Sequence, residues 1–209
     1  MKKMSRLFCA IIMVLVFLIM GGCATTVTED TNEGATDAAQ PLPEQIPDTA
    51  NNILVAYFSH TGNTEALAMQ IHDITGGDIF KIEPTEPYPE DYDECVAQAR
   101  EEMAEGYLPP LKTEIVDITQ YEVIFLGYPI WFGTIGPPLE TFLSQYDLSG
   151  KTIVPFCTYG GSGLGESANT IAERCPQSTI LEALAISRDS AESSHDIVLE
   201  WLHKLEMAE

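Results

Sequence analysis

Basic residues are scarce in this chain: ten Lys and Arg stand against 32 Asp and Glu, for a formal net charge of −22. Three of the ten, Lys2, Lys3 and Arg6, lie before residue 23 in a stretch without acids, so the remainder is more acidic still. Such a surface repels phosphate backbones and anionic headgroups, which argues against nucleic-acid binding and peripheral membrane adsorption and favours a small, soluble or basic partner. Cysteine chemistry is equally thin. Cys95, Cys157 and Cys175 form no CxxC pair, and an odd trio cannot all pair internally, so they read as buried thiols. His60, His72, His195 and His203 show no HxxxH or HExxH spacing, and no metal site is expected. A Walker loop, a GxGxxG turn, a serine triad and an internal repeat are all missing. What is present is 209 residues, 45% hydrophobic, enough for one well-buried domain and too few for two ordinary ones.

The first 22 residues read as an address. Three positive charges precede an apolar run over residues 7–20, the order of a secretory signal. As a helix that run spans about 21 Å, short of a bilayer core of about 30 Å, so a permanent span is not expected. Met20, Gly21, Gly22 and Cys23 follow, and they resemble the lipobox of bacterial lipoproteins, with Met in place of the usual Leu. The resemblance implies cleavage before Cys23 and a lipid on its sulfur. Residues 24–52 hold six acids, no Lys or Arg and three prolines, a linker with a reach of about 30 Å as a flexible coil. The expected organisation is a signal over 1–22, a lipidated Cys23 and acidic linker over 23–52, and a folded domain over 53–209. This places the domain at the extracytoplasmic face of a bacterial cell membrane, in contact with it only through the anchor. Residues 30–36, DTNEGAT, resemble the DxxSGAT site at which some exported redox proteins carry covalent flavin on threonine. Glu33 departs from that pattern, and Thr36 is read as part of the linker, with any flavin held noncovalently.

From residue 53 the chain alternates apolar runs with helical periodicity. Strands are expected over 53–58, 78–83, 123–127, 151–157 and 179–184. Helices are expected from the 59–64 loop to Gly76, then over 91–106, 137–146, 166–174 and 194–207. Five strands alternating with five helices imply an α/β domain with one doubly wound parallel sheet, helices on both faces and right-handed crossovers. Its chemistry belongs beyond the carboxyl ends of the strands, where strand order reverses.

Three segments fall at such ends. Ser59, His60, Thr61, Gly62, Asn63 and Thr64 follow the first strand and open a helix; three hydroxyls and free helix amides there suit a phosphate dianion without any cationic side chain. Pro129, Ile130, Trp131, Phe132 and Gly133 follow the third strand. Trp131 offers a wide π face for a flat ligand, or it plugs the top of the core. Thr158, Tyr159, Gly160, Gly161, Ser162 and Gly163 follow the fourth, where small residues let the backbone approach a flat ligand.

The segment SHTGNT resembles the (S/T)xTGxT phosphate loop of flavodoxins, and GYPIWFG and CTYGGSG fall where that family contacts the isoalloxazine ring. The resemblance covers residues from about 52 to 209. It implies strand order 2-1-3-4-5, FMN as cofactor and all seventeen loop residues named above as its contacts, with Tyr159 either stacking on the ring or shielding it. It also implies a one-electron carrier that exchanges with a redox protein or a small electron acceptor. One carboxylate about 8 Å from the ring costs the reduced anion about 2 kcal/mol at an effective dielectric near 20, so an acidic rim would give a low potential. An NAD(P)H-dependent quinone or flavin reductase on the same fold is the main alternative, and a cofactor-free surface interaction module the second.

Overall fold

The computed structural model describes residues 52–208. Cys23 and Thr36 lie outside them. Five parallel positions form the sheet, in the order β2 (Asp78–Lys81), β1 (Ile53–Tyr57), β3 (Val123–Pro129), β4 (Thr152–Tyr159) and a fifth shared by β5 (Thr179–Ile180) and β6 (Leu184–Ser187). The expected strand order is therefore observed.

Alternation along the strands sorts two apolar layers. Leu54, Ala56, Ile124, Leu126, Tyr128, Ile153 and Cys157 meet α2 (Tyr92–Glu105), α3 (Pro137–Gln145) and α4 (Ser167–Arg174) through Cys95, Ala99, Leu139, Phe142 and Ile171. On the opposite face Val55, Tyr57, Phe125, Val154 and Phe156 meet α1 (Asn63–Thr75) and α5 (His195–Lys204) through Leu67, Ala68, Ile71, Val198, Trp201 and Leu202. Central strands buried on both sides need continuous apolar runs, which explains why 123–127 carries no polar alternation.

The fifth strand departs from expectation. Instead of one run over 179–184 it has two short pieces, and the second extends to Ser187. Pro155 is the cause. Ile153 accepts the Leu181 amide at 2.9 Å, so residues 151, 153 and 155 of β4 turn their backbone groups toward the fifth strand. Proline has no N–H to offer there. The ladder lapses, and the register moves from Ile153 opposite Ile180 to Phe156 opposite Leu184. Val154 and Pro155 thus face three residues, Leu181, Glu182 and Ala183, a one-residue bulge. The Glu182 carbonyl released by the bulge accepts Trp201 Nε1 at 3.1 Å.

Helix boundaries follow local chemistry. Asp91 caps α2 by accepting the amides of Asp93 and Glu94, both at 3.0 Å. Pro137 and Pro138 open α3, where the first amides have no intrahelical acceptor to lose. None of the helices of the described residues is long and apolar enough to cross a membrane.

Candidate functional site

The loops after β1, β3 and β4 converge with α2 around a cleft of about 480 Å³ at the carboxyl ends of the strands. The first loop enters α1 through Gly62, whose φ of +88° turns the chain into the helix. Ser59 Oγ accepts the Gly62 amide at 3.1 Å, and Asn63 Nδ2 donates to Thr61 Oγ1 at 3.0 Å. The first intrahelical bond runs from the Ala66 amide to the Gly62 carbonyl, so the amides of Asn63, Thr64 and Glu65 have no partner within the helix. His60, Thr61 and Asn63 line the cleft. Thr64 does not: it is 1% exposed, and its hydroxyl pairs with that of Thr158 at 2.8 Å.

After β3 the chain makes a two-residue hairpin. Trp131 and Thr134 exchange backbone bonds of 3.0 and 2.9 Å, and the central residues Phe132 and Gly133 have φ of +49° and +82°. Both central residues of a type I′ turn need positive φ, which Gly133 accepts freely and Phe132 does not. Such strain costs on the order of 1–3 kcal/mol and leaves the Phe132 ring 49% exposed at the tip. The Arg100 guanidinium, from α2, sits over that ring at 5.4 Å.

Trp131 both lines the cleft and packs inward. Its ring lies edge-to-face with Tyr88 at 4.9 Å and Phe58 at 5.3 Å. Tyr88 is itself buried and donates its hydroxyl to the Glu102 carboxylate, so a hydrogen-bonded phenol backs the indole.

The third loop is tied to the second. The Glu166 amide donates to the Gly133 carbonyl at 2.8 Å, and a Cβ at Gly165 would stand only 2.1 Å from that oxygen. Thr158, Tyr159 and Gly160 line the cleft beside Pro129, Ile130, Trp131 and Phe132. Gly161, Ser162 and Gly163, together with Ser59, Gly62 and Gly133, are not in its lining.

Several lining groups went unnoticed in the sequence. Tyr92, Val96, Ala99 and Arg100 come from α2, Glu90 precedes it, and Arg188 follows β6. The 92, 96, 99/100 spacing is a helical stripe, a signal hidden in a segment that reads as mostly exposed. Arg188 lies close to Gly160; its Nη1 is 3.7 Å from where a Cβ would stand there. Cys95 also lines the cleft, and burial raises its thiol pKa above the usual range, so it presents a neutral thiol.

A second cavity of about 500 Å³ is lined by Met103, Tyr107, Ile135 and Leu143 among others. It takes nothing from the loops after β1 and β4, and its Arg174–Glu140 pair closes on itself at 2.7 Å. Among the described residues no group of three or more His, Cys, Asp or Glu is placed to hold a metal ion.

The sequence model of the flavodoxin family matches residues 52–205, nearly the whole described domain. The chain belongs to the flavodoxin family. Solved structures agree with this membership. A protein of Bacteroides eggerthii designated a flavoprotein is 33% identical, with 74% of this chain and 98% of that one covered and a TM-score of 0.66. A Bacteroides uniformis counterpart is 26% identical over 68% of this chain and 96% of its own, with a TM-score of 0.61. A flavoprotein of Lactobacillus acidophilus solved in complex with FMN shares the fold at 21% identity, covering 69% and 98% with a TM-score of 0.57. No curated protein matches. The flavodoxin domain thus presents its three loops on the edge at which sheet order reverses, between β1 and β3.

Proposed function

We propose that this flavodoxin-family chain binds FMN noncovalently in the cleft at the carboxyl ends of β1, β3 and β4 and works as a one-electron carrier. One observation carries the reading: the start of α1, at Thr61 and Asn63, and an aromatic, apolar wall line a single cleft. The residues fit the group. The Asn63 amide and the Thr61 hydroxyl, both from residues of the lining, suit a phosphate at a positive helix end. Pro129, Ile130, Trp131 and Phe132 give a flat ring an apolar wall and exclude water from it. Tyr159 and Gly160 also line the cleft, and Gly160 has no side chain to obstruct a ring edge. FMN, when bound, supplies the electron-transfer chemistry; the chain positions it and sets its electrostatic surroundings.

Those surroundings differ from a purely acidic rim. Arg100 and Arg188 are in the lining against Glu90. Positive charge near a ring that gains negative charge raises its potential, so the lining works against the low potential that overall acidity suggests. The same two arginines favour the second reading, an NAD(P)H-dependent quinone or flavin reductase, because they would attract an anionic co-substrate.

We also propose that the domain is tethered through lipid on Cys23 at the extracytoplasmic face of a bacterial membrane. Support comes from the order of charges, apolar run and lipobox-like Met20 to Cys23. Metabolic labelling with a fatty acid, lost in Cys23→Ser together with membrane fractionation, is the expected result.

The deciding experiment for the cofactor is the visible absorption spectrum of the chain with FMN, followed by a titration of flavin fluorescence. Saturable quenching and a shifted flavin band are expected. A flat titration at saturating FMN ends the proposal. Steady NAD(P)H oxidation with a quinone acceptor would replace the carrier with the reductase.

A further inference from the structure

Bases are few enough in this chain for each to be traced. Residues 52–208 contain seven Lys and Arg. Lys81, Lys112, Arg174 and Lys204 pair with Glu65, Glu83, Glu140 and Glu182 at 3.2, 3.0, 2.7 and 2.6 Å. Lys151 is buried and donates to the Tyr121 carbonyl. The two that remain, Arg100 and Arg188, come from distant parts of the chain and line the same cleft. Arg100 has no carboxylate partner among the described residues, and Arg188 has only its exposed neighbour Asp189 at 3.6 Å. Glu90 is the one carboxylate in the lining. A chain of charge −22 repels small anions over most of its surface, whereas this cleft offers two cations to one acid.

The strained hairpin gives that charge a shape. Phe132 holds a positive φ, which leaves its ring at the cleft mouth, and the Arg100 guanidinium covers it. A guanidinium beside an aromatic face is matched by a flat molecule that carries a negative group: the ring stacks and the fork binds the anion. We propose that the cleft admits a small planar anion as co-substrate, a redox molecule bearing carboxylate, sulfonate or phosphate, selected by Arg100 against Phe132. Its redox role rests on the flavin reading above; its binding does not. A basic protein partner is disfavoured at this mouth, because it would meet two guanidinium groups.

Collisional quenching of Trp131 in the full chain tests the binding without any flavin. The chain has two tryptophans, and Trp201 is 6% exposed, so an external quencher reports Trp131. Iodide is expected to quench more strongly than caesium despite the net charge. Arg100→Gln should lower the iodide constant about twofold without changing that of neutral acrylamide, and R100Q/R188Q should reverse the ion preference. Both side chains are exposed, and unchanged circular dichroism will confirm folding. Stronger quenching by caesium in the parent chain, or an unchanged iodide constant in the double variant, overturns the proposal.

A second arm uses FMN-loaded protein reduced with dithionite. Each ferricyanide takes one electron and becomes ferrocyanide; each hexaammineruthenium(III) takes one and becomes ruthenium(II). R100Q should slow the ferricyanide reaction about tenfold and leave the ruthenium reaction as fast or faster. Equal slowing with both overturns the selectivity. A flat FMN titration with the iodide preference intact would sink the flavin assignment and support the anion site.

Discussion

The hydroxyl of Thr64, in the first turn of α1, lies 2.8 Å from the hydroxyl of Thr158 near the end of β4, and both residues are buried. This bond links the start of α1, just after the first loop, to the strand that carries the third loop. Removing one partner strands the other without water, so Thr64→Ala should cost about 1–3 kcal/mol of stability. The double variant Thr64→Val/Thr158→Val should cost less than the sum of the single changes. Urea unfolding of the four proteins in a double-mutant cycle measures the coupling.

Two substitutions should separate the ends of the ligand. Thr61 is exposed beside the free helix amides, and Thr61→Ala should weaken FMN about tenfold while leaving riboflavin, which has no phosphate, nearly unchanged. Gly136 has an ordinary φ of −91°, but a Cβ there would stand 2.8 Å from Trp131 Cε3. Gly136→Ala should therefore displace the indole and weaken both flavins alike. Fluorescence titrations with the two ligands check the split.

Phe132→Asn places at the tip of the hairpin a residue that tolerates positive φ. It should raise stability by about 1 kcal/mol, read as a higher urea midpoint, while flavin affinity falls severalfold. A loss of stability would show that the ring packs more than its 49% exposure indicates.

Stability should decline in alkali. Burial pushes the Cys157 thiol from 9.0 up to about 12, and burial likewise raises Cys95, Cys175, Tyr57, Tyr88 and Tyr128. Between those ordinary and raised values the unfolded chain releases protons that the folded chain keeps, so folding free energy falls as pH rises. Below about pH 8 these groups add little slope. Urea midpoints at pH 6, 7, 9 and 10 should show a flat segment up to pH 7 and then a fall, and native Cys157 should resist alkylation at pH 8.

Strand order followed from the flavodoxin resemblance, and both helical layers were legible because the apolar runs of β1, β3 and β4 are continuous and punctuated by Gly and Pro. The fifth strand was not, since its break is caused by Pro155 on a neighbouring strand and no local pattern in 179–187 records it. With the strand expected to end at 184, nothing in the pattern marks Arg188, which directly follows Ser187 at the end of β6. Residues of all three loops line one cleft. Within them, spacing cannot distinguish a hydroxyl that faces a cleft from one committed to a buried bond, as Thr61 and Thr64 demonstrate.

The contact between Gly165 and Gly133 reaches beyond local packing. With the Glu166 amide fastened to the Gly133 carbonyl and no space for even a methyl group between the segments, the loops after β3 and β4 are joined just behind the cleft, and they should move together. The proposed flavin would then meet a seat largely shaped in advance. Little conformational entropy remains to be surrendered on arrival, and crystals grown with and without flavin should superpose through this region.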